Sequence, residues 1–173
     1  MKKTYSQNTS KRRESFILSS ELREEIELEL AQLRQLLRSF QPLREKILNN
    51  TPEFVEISAL AGFLHAFYTG LENLFKRIAI HLDGGPPRGE AWHTQLLESM
   101  SRGTKNRPAV ISEPLVAQLR SYLDFRHVFR QAYTFDLRWE KMAGLVRECE
   151  KTLDQLESEL KAFFKSLPSS HPS

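Results

Sequence analysis

The stretch FLHAFYTGLENLFKRIAIHL, residues 63–82, decides the fold class of the chain. Its large apolar residues, together with two that precede it, return at intervals of three and four positions: Ile57, Leu60, Phe63, Leu64, Phe67, Leu71, Leu74, Phe75 and Ile78. This spacing places them on one face of an α-helix. The stretch therefore predicts a long helix that starts at Thr51-Pro52, with threonine as the cap and proline in the first helical position, and that ends near Leu82.

The same apolar period predicts a first helix upstream. Ser19 and Ser20 are its candidate N-caps, because a serine hydroxyl can accept a hydrogen bond from the backbone of the first turn. Pro42 is expected to end or kink this helix within Phe40–Leu48, because proline lacks a backbone N–H and crowds the preceding turn. The first helix thus leads directly to the start of the second.

Three more helices are predicted downstream. The first is short and covers Glu90–Met100, the second starts at a cap on Ser112, and the third starts at about Asp136. Glycine, proline and polar residues place exposed loops at Asp83–Gly89 and Ser101–Ser112. Because no segment alternates with a period of two, the sequence predicts an all-α fold, an antiparallel bundle of four long helices plus one short helix.

The length of 173 residues suits one domain, which we place at residues 16–167. Lysine and arginine crowd the start of the chain, where no apolar period is present, so residues 1–15 are predicted to be a basic mobile arm. Residues 168–173, rich in serine and proline, are predicted to be a C-terminal tail. The net charge of +3 permits contact with nucleic acid without requiring it.

Composition argues against several classes of protein. No apolar run is long enough to span a bilayer, so neither a membrane span nor a membrane partner is predicted. The single cysteine, Cys149, excludes an internal disulfide and a cysteine-based zinc cluster, and a cytoplasmic location is expected. His65 and Glu72 share an edge of the second helix, but no third ligand stands at a usable spacing. The sequence therefore predicts no metal and no cofactor.

A second stretch, YLDFRHVFRQAYTFD, carries the candidate site. On a helical projection, Arg126 falls in the middle of an apolar arc and Arg130 falls at its edge. A guanidinium buried in such an arc must be paired, because removing its charge from water is costly. Two interpretations stay open: an ion pair with a carboxylate, for which Glu72 is the candidate, or a site for the phosphate of a ligand.

Polar residues on this helix form a ridge at steps of four, four and three: Tyr122, Arg126, Arg130 and Tyr133. Within the ridge, Arg130 and Tyr122 are expected to help bind a substrate. His127 and Gln131 point to another face. Elsewhere, the sequence assigns structural or surface roles to His65, His81 and His93. Trp92 is interpreted as a core anchor.

Four segments resemble the HepT-like proteins of the HEPN superfamily, in the branch of HepT-like domain 2: DFRHVFRQAYTFDLRWEKM, FLHAFYTGLENLFKRIA, GEAWHTQLL and RPAVIS. The resemblance spans about Leu60–Leu145. It implies a metal-independent endoribonuclease that acts as the toxin of a toxin–antitoxin system. It also implies a homodimer whose two sites meet across the interface, and a minimal nucleotidyltransferase as the antitoxin, which adenylylates a tyrosine of the site.

The site pattern of that family is Arg-x4-His-x-Tyr, in which histidine moves a proton and arginine stabilises charge on the phosphate. By resemblance, Arg126 and Tyr133 match the arginine and the tyrosine, so Tyr133 is the expected acceptor of the modification. The histidine position holds Gln131, which does not titrate near neutral pH, so RNA cleavage is expected to be weak or lost. The neighbouring His127 is the candidate substitute, and an alternative alignment pairs it with Arg120.

Three hypotheses follow from the sequence. The chain is an active or weakened HepT-like ribonuclease toxin, or a catalytically inactive module that binds RNA or a nucleotidyltransferase, or a helical interaction protein with a buried ion pair. The substitution at Gln131 favours the second on chemical grounds, whereas the family resemblance favours the first.

Overall fold

A computed structural model of the chain describes residues 3–131, 133 and 136–167, with side chains described from residue 20 onward. Its five helices are α1 (Lys3–Lys46), α2 (Phe54–Leu82), α3 (Trp92–Met100), α4 (Glu113–Gln131) and α5 (Trp139–Ser166). No strand occurs among the residues described, so the prediction of an all-α fold is confirmed. The segment 168–173, predicted to be a tail, lies outside the described residues.

The helix α2 is the centre of the structure, because it packs against each of the other four helices. All but one of the apolar residues that predicted α2 are buried, and the exception, Ile57, is half-buried near its start. By length and composition alone, α2 would also suit a membrane span. Here its apolar residues form the middle of the core, where side chains of the other helices pack on them.

The helices α1 and α2 approach each other closely at Gly70. A Cβ atom added there would lie 2.6 Å from Cδ2 of Leu33, which is itself buried in the core. Glycine therefore leaves room for the Leu33 side chain, which would have to shift to admit a larger residue at this position. Farther along the same pair of helices, Nη1 of Arg77 donates to Oε2 of Glu25 at 3.0 Å.

The start of α1 differs from the prediction. The helix begins at Lys3 and continues through Ser19 and Ser20, so these serines are not its caps, and α1 includes most of the segment predicted to be an arm. A serine inside a helix costs only about 0.5 kcal/mol relative to alanine, so a residue of the capping type does not by itself start or stop a helix. Pro42 lies inside α1, which ends at Lys46, within the predicted interval.

The start of α2 also differs, because Thr51-Pro52 precedes the helix and Glu53 is its cap. Glu53 and Glu56 form a reciprocal capping box, in which the N–H of Glu53 donates to Oε2 of Glu56 at 3.0 Å. By contrast, Ser112 caps α4 as predicted. Its hydroxyl oxygen accepts a hydrogen bond from the N–H of Leu115 at 3.4 Å.

The two predicted loops are joined by a buried ion pair. Arg107, in the loop that was predicted to be exposed, is only 3% exposed. Its Nη2 donates to Oδ2 of Asp83 at 2.7 Å, and its Nη1 donates to the carbonyl oxygen of Arg102 at 3.0 Å. A buried guanidinium is stable only when fixed acceptors take its hydrogens. The prediction of two freely exposed loops is therefore wrong for Arg107, which ties the loop after α3 to the end of α2.

Gly70→Ala is expected to lower the free energy of unfolding by about 1–3 kcal/mol, because the new methyl group overlaps Leu33 in a packed core. Gly62→Ala is the matched control on the same helix, since a Cβ added there meets no atom of the described residues within 4 Å. It is expected to raise the free energy of unfolding by roughly 0.5–1 kcal/mol, because alanine favours the helix. Urea unfolding followed by circular dichroism measures both, and equal effects would contradict the close approach.

Candidate functional site

Arg126 lies in the second half of α4 and is buried, with 8% of its surface exposed, as the helical projection predicted. Its guanidinium faces α2 and α3. The Nη2 atom is 3.8 Å from Oε1 of Glu72 on α2. Of the two interpretations left open by the sequence, the ion pair between Arg126 and Glu72 is therefore present in the structure.

Glu72 is a buried carboxylate with partners from three helices. The Nζ atom of Lys76, one turn farther along α2, is 3.1 Å from Oε1 of Glu72. The Nδ1 atom of His93, at the start of α3, forms a hydrogen bond with Oε2. Because a buried charge is tolerated only when it is paired, Glu72 constrains where both α3 and α4 are placed.

His93 reaches the site from the first turn of α3. The ring of Trp92 stacks on the His93 ring with centroids 3.7 Å apart, and Nζ of Lys76 lies 4.9 Å from the centroid of the Trp92 ring. Just before this turn, Gly89 has a φ of 97°, a backbone conformation that favours glycine. The Nη1 atom of Arg126 is 3.4 Å from Nε2 of His93. The imidazole is therefore held between a carboxylate, an indole and a guanidinium.

The surroundings of His93 favour its neutral form. Burial lowers the pKa of His93 below the ordinary value of 6.5; Glu72 opposes this shift, and the charges of Arg126 and His127 add to it. In the neutral ring Nδ1 carries the proton, because it faces the carboxylate of Glu72, and Nε2 keeps its lone pair. That nitrogen is a hydrogen-bond acceptor and a base beside the guanidinium.

His65 on α2 lies beside the same cluster. Its ring packs on Phe129 with centroids 5.0 Å apart, and its Nδ1 atom is buried without a hydrogen-bond partner among the described residues. Burial lowers the pKa of His65, and the charges of Arg126 and Arg130 lower it further. Within the described part of the chain, the Nε atom of Arg126 is likewise buried without a hydrogen-bond partner. Both atoms mark a polar region that the described side chains do not fully satisfy.

Four of the other residues predicted for the site lie at the protein surface. His127 is exposed, and the edge of its ring faces the His93 ring with centroids 5.9 Å apart. Arg130 and Gln131 are exposed at the end of α4, and Tyr133, just beyond it, is 72% exposed. The structure thus brings Arg126 together with Glu72, His93 and His127.

Two residues named in the sequence analysis lie apart from this cluster. Tyr122 is buried in the core, and its hydroxyl donates to the carbonyl oxygen of Leu145 on α5 at 2.9 Å. Its ring also packs on Phe67 of α2 with centroids 5.4 Å apart, so Tyr122 is a core residue between α2 and α5 and is not exposed beside Arg130 as a substrate-binding residue would be. Arg120, the arginine of the alternative alignment, is partly exposed and pairs with Glu98.

Sequence reasoning missed His93 and Lys76. His93 was given a structural or surface role, because one histidine beside a tryptophan is not a site pattern. The sequence signal was limited to the adjacency of Trp92 and His93 at a predicted helix start, because the direction of their side chains depends on how residues 83–91 fold. Among the side chains described, no three His, Cys, Asp or Glu residues form a group that could hold a metal ion.

The free energy of unfolding is expected to fall as the pH is lowered below about 6.5, where the unfolded chain begins to protonate its histidines. The folded chain binds these protons only at lower pH, because the pKa values of His65 and His93 are depressed, so protons favour the unfolded state. Each histidine contributes a slope of up to about 1.4 kcal/mol per pH unit. Urea titrations at several pH values below about 6.5 measure the slope of the free energy of unfolding against pH. An unchanged slope in His65→Gln and His93→Gln would contradict the lowered pKa values of these histidines.

Comparison with known proteins gives one result that bears on this site. The family model described as HepT-like protein matches residues 59–167, which include α2 after its first five residues, α3, α4, α5 and every residue of the cluster around Arg126. No curated protein and no solved structure matches the chain. The match covers more than half of the 173 residues and agrees with the resemblance carried by the motifs of α2 and α4. The chain therefore belongs to the HepT-like family.

Proposed function

We propose that the chain is the toxin-type component of a two-component toxin–antitoxin system and that the cluster around Arg126 acts on RNA without a metal. The proposal includes an antiparallel arrangement of the four long helices and a homodimer with α4 near its axis. The observation that carries it is Arg126, held in place by Glu72 and His93 beside the exposed His127. Family membership supports the same class of activity.

The charges of the cluster suit a phosphodiester. Lys76 and Arg126 share the single carboxylate of Glu72, so the group carries an excess of positive charge beside a surface histidine. Arg130, one turn after Arg126, adds an exposed guanidinium at the end of α4. A guanidinium whose position is already set by a buried carboxylate loses little freedom on binding a phosphate oxygen and can stabilise developing charge there.

The residue at the motif histidine position limits the proposed activity. Gln131 is exposed at the last position of α4 and has no group that titrates near neutral pH. RNA cleavage by the native protein is therefore proposed to be weak, while binding of RNA phosphates at Arg126 persists. This residue also supports the second candidate function, a catalytically inactive module that binds RNA or a nucleotidyltransferase in the cytoplasm.

Gln131→His is expected to raise metal-free RNA cleavage, because it restores a proton-transfer group that contributes on the order of 10²–10⁴-fold in enzymes. Cleavage is measured in excess chelator, beside the native protein, His127→Ala and Arg126→Ala. Arg126→Ala is expected to weaken both RNA binding and cleavage. Its matched control is Arg34→Ala, which also removes an arginine paired with carboxylates, those of Asp154 and Glu157, at the α1–α5 contact.

Two results would redirect the proposal. Strong native cleavage that disappears in His127→Ala would assign proton transfer to His127 and defeat the view that the native site is weak. If Gln131→His gains nothing and Arg126→Ala binds RNA as well as Arg34→Ala does, the cluster around Arg126 is a structural ion-pair network.

Tyr133 is expected to be the residue adenylylated by a minimal nucleotidyltransferase partner. It is 72% exposed beyond the end of α4, whereas Tyr68 and Tyr122 are each 1% exposed and cannot enter another active site without unfolding. Mass spectrometry after incubation with that partner and ATP is expected to show one added AMP, which Tyr133→Phe abolishes. An adduct that persists in Tyr133→Phe would place the acceptor elsewhere.

A further inference from the structure

The pairing of Glu72 with His93 is more than charge balance requires. Lys76 and Arg126 already supply two positive charges to one carboxylate. A neutral imidazole adds no charge to that balance, and what it gives Glu72 is a hydrogen bond to Oε2, because both cations lie on Oε1. What the carboxylate does determine is the orientation of the ring, since Nδ1 must face Glu72.

The guanidinium of Arg126 lies against the imidazole ring, where its Nη1 atom is 3.5 Å from Nδ1 and about as close to Nε2, the nitrogen that does not face Glu72. The Nη1 atom of Arg126 is 3.4 Å from Nε2, so a phosphate oxygen bound to Arg126 would lie within reach of that nitrogen. A carboxylate that fixes a histidine, whose second nitrogen faces the reacting group, is the arrangement that enzymes use to hold a general base. The stacked ring of Trp92 removes the remaining freedom of the imidazole.

We propose that His93, oriented by Glu72, is the proton-transfer residue of the Arg126 site, and that it supplies from α3 the function that Gln131 cannot supply from α4. This inference rests on the proposed function, because it assumes that RNA is the substrate. It assigns the residual cleavage of the native protein to His93. Glu72 acts as a positioning residue through His93.

The reaction is an internal transesterification of RNA. Nε2 of the neutral His93 takes the proton of a ribose 2′-hydroxyl, whose oxygen forms a bond to the adjacent phosphorus. The bond from phosphorus to the 5′ oxygen of the next nucleotide breaks, and that oxygen takes a proton from water. Arg126 stabilises the negative charge on the phosphoryl oxygens. His93 then returns its proton to solvent, and the products are a 2′,3′-cyclic phosphate and a 5′-hydroxyl.

The test compares His93→Gln with the native protein in single-turnover cleavage of a fluorescent RNA in excess chelator. Glutamine can still donate a hydrogen bond to Glu72 but cannot accept a proton near neutral pH. Cleavage is expected to fall by about 100-fold or more, while RNA binding measured by anisotropy is unchanged. His81→Gln is the matched control, because His81 also pairs with a carboxylate, that of Glu25, outside the cluster.

The double variant Gln131→His/His93→Gln separates this inference from the proposed function. It is expected to cleave RNA faster than His93→Gln, because the histidine at the motif position takes over proton transfer. If Gln131→His cleaves while the native protein does not, or if His93→Gln cleaves as the native protein does, the role of His93 is overturned and the proposed function stands. If no variant binds or cleaves RNA, both are overturned.

A pH–rate profile of the native protein needs no substitution at His93, so this test remains possible even if His93→Gln does not fold. The rate is expected to rise with pH along a limb whose midpoint lies below the ordinary histidine pKa of about 6.5. The same limb is expected in His127→Ala. A flat profile through this range, or a limb that disappears in His127→Ala, would overturn the assignment to His93.

Discussion

One buried carboxylate connects the fold to the candidate site. Glu72 stands in the middle of the central helix, among residues that are otherwise apolar, and a charge at such a position is tolerated only with close partners. Those partners come from its own helix, from the start of α3 and from the second half of α4. The need to satisfy one carboxylate therefore brings segments that are distant in sequence to a single point.

The helices could be predicted because their information is local. The apolar spacing of α2 and the cap at Ser112 both depend on residues within a few turns of helix. Glu72 was the candidate partner of Arg126 because a buried guanidinium requires a nearby carboxylate. The start of α1 was missed, because capping residues are also compatible with a helix interior. The position of His93 could not be predicted, since it depends on how a loop folds back against α2.

That loop shows where sequence reasoning reaches its limit. Asp83 and Arg107 are separated in sequence by α3 and the loops on either side of it. Neither residue belongs to an apolar pattern from which their contact could be predicted. Their ion pair nevertheless ties both ends of the α3 segment to α2 and so helps to place His93 beside Arg126. A proton acceptor functions through its position relative to the substrate. A residue of α3 can occupy that position even though the family motif lies on α4.

The close approach of α1 to α2 has a consequence for how the protein is divided. The family match begins at residue 59, so α1 lies entirely before it. Yet α1 contributes a continuous apolar row to the core: Leu22, Ile26, Leu33 and Leu37. A chain that began where the family match begins would expose the α2 surface that this row covers, and a large exposed apolar surface causes association. The segment that identifies the family is thus smaller than the packed core, and a fragment cut at the match would lack the side chains that cover this part of α2.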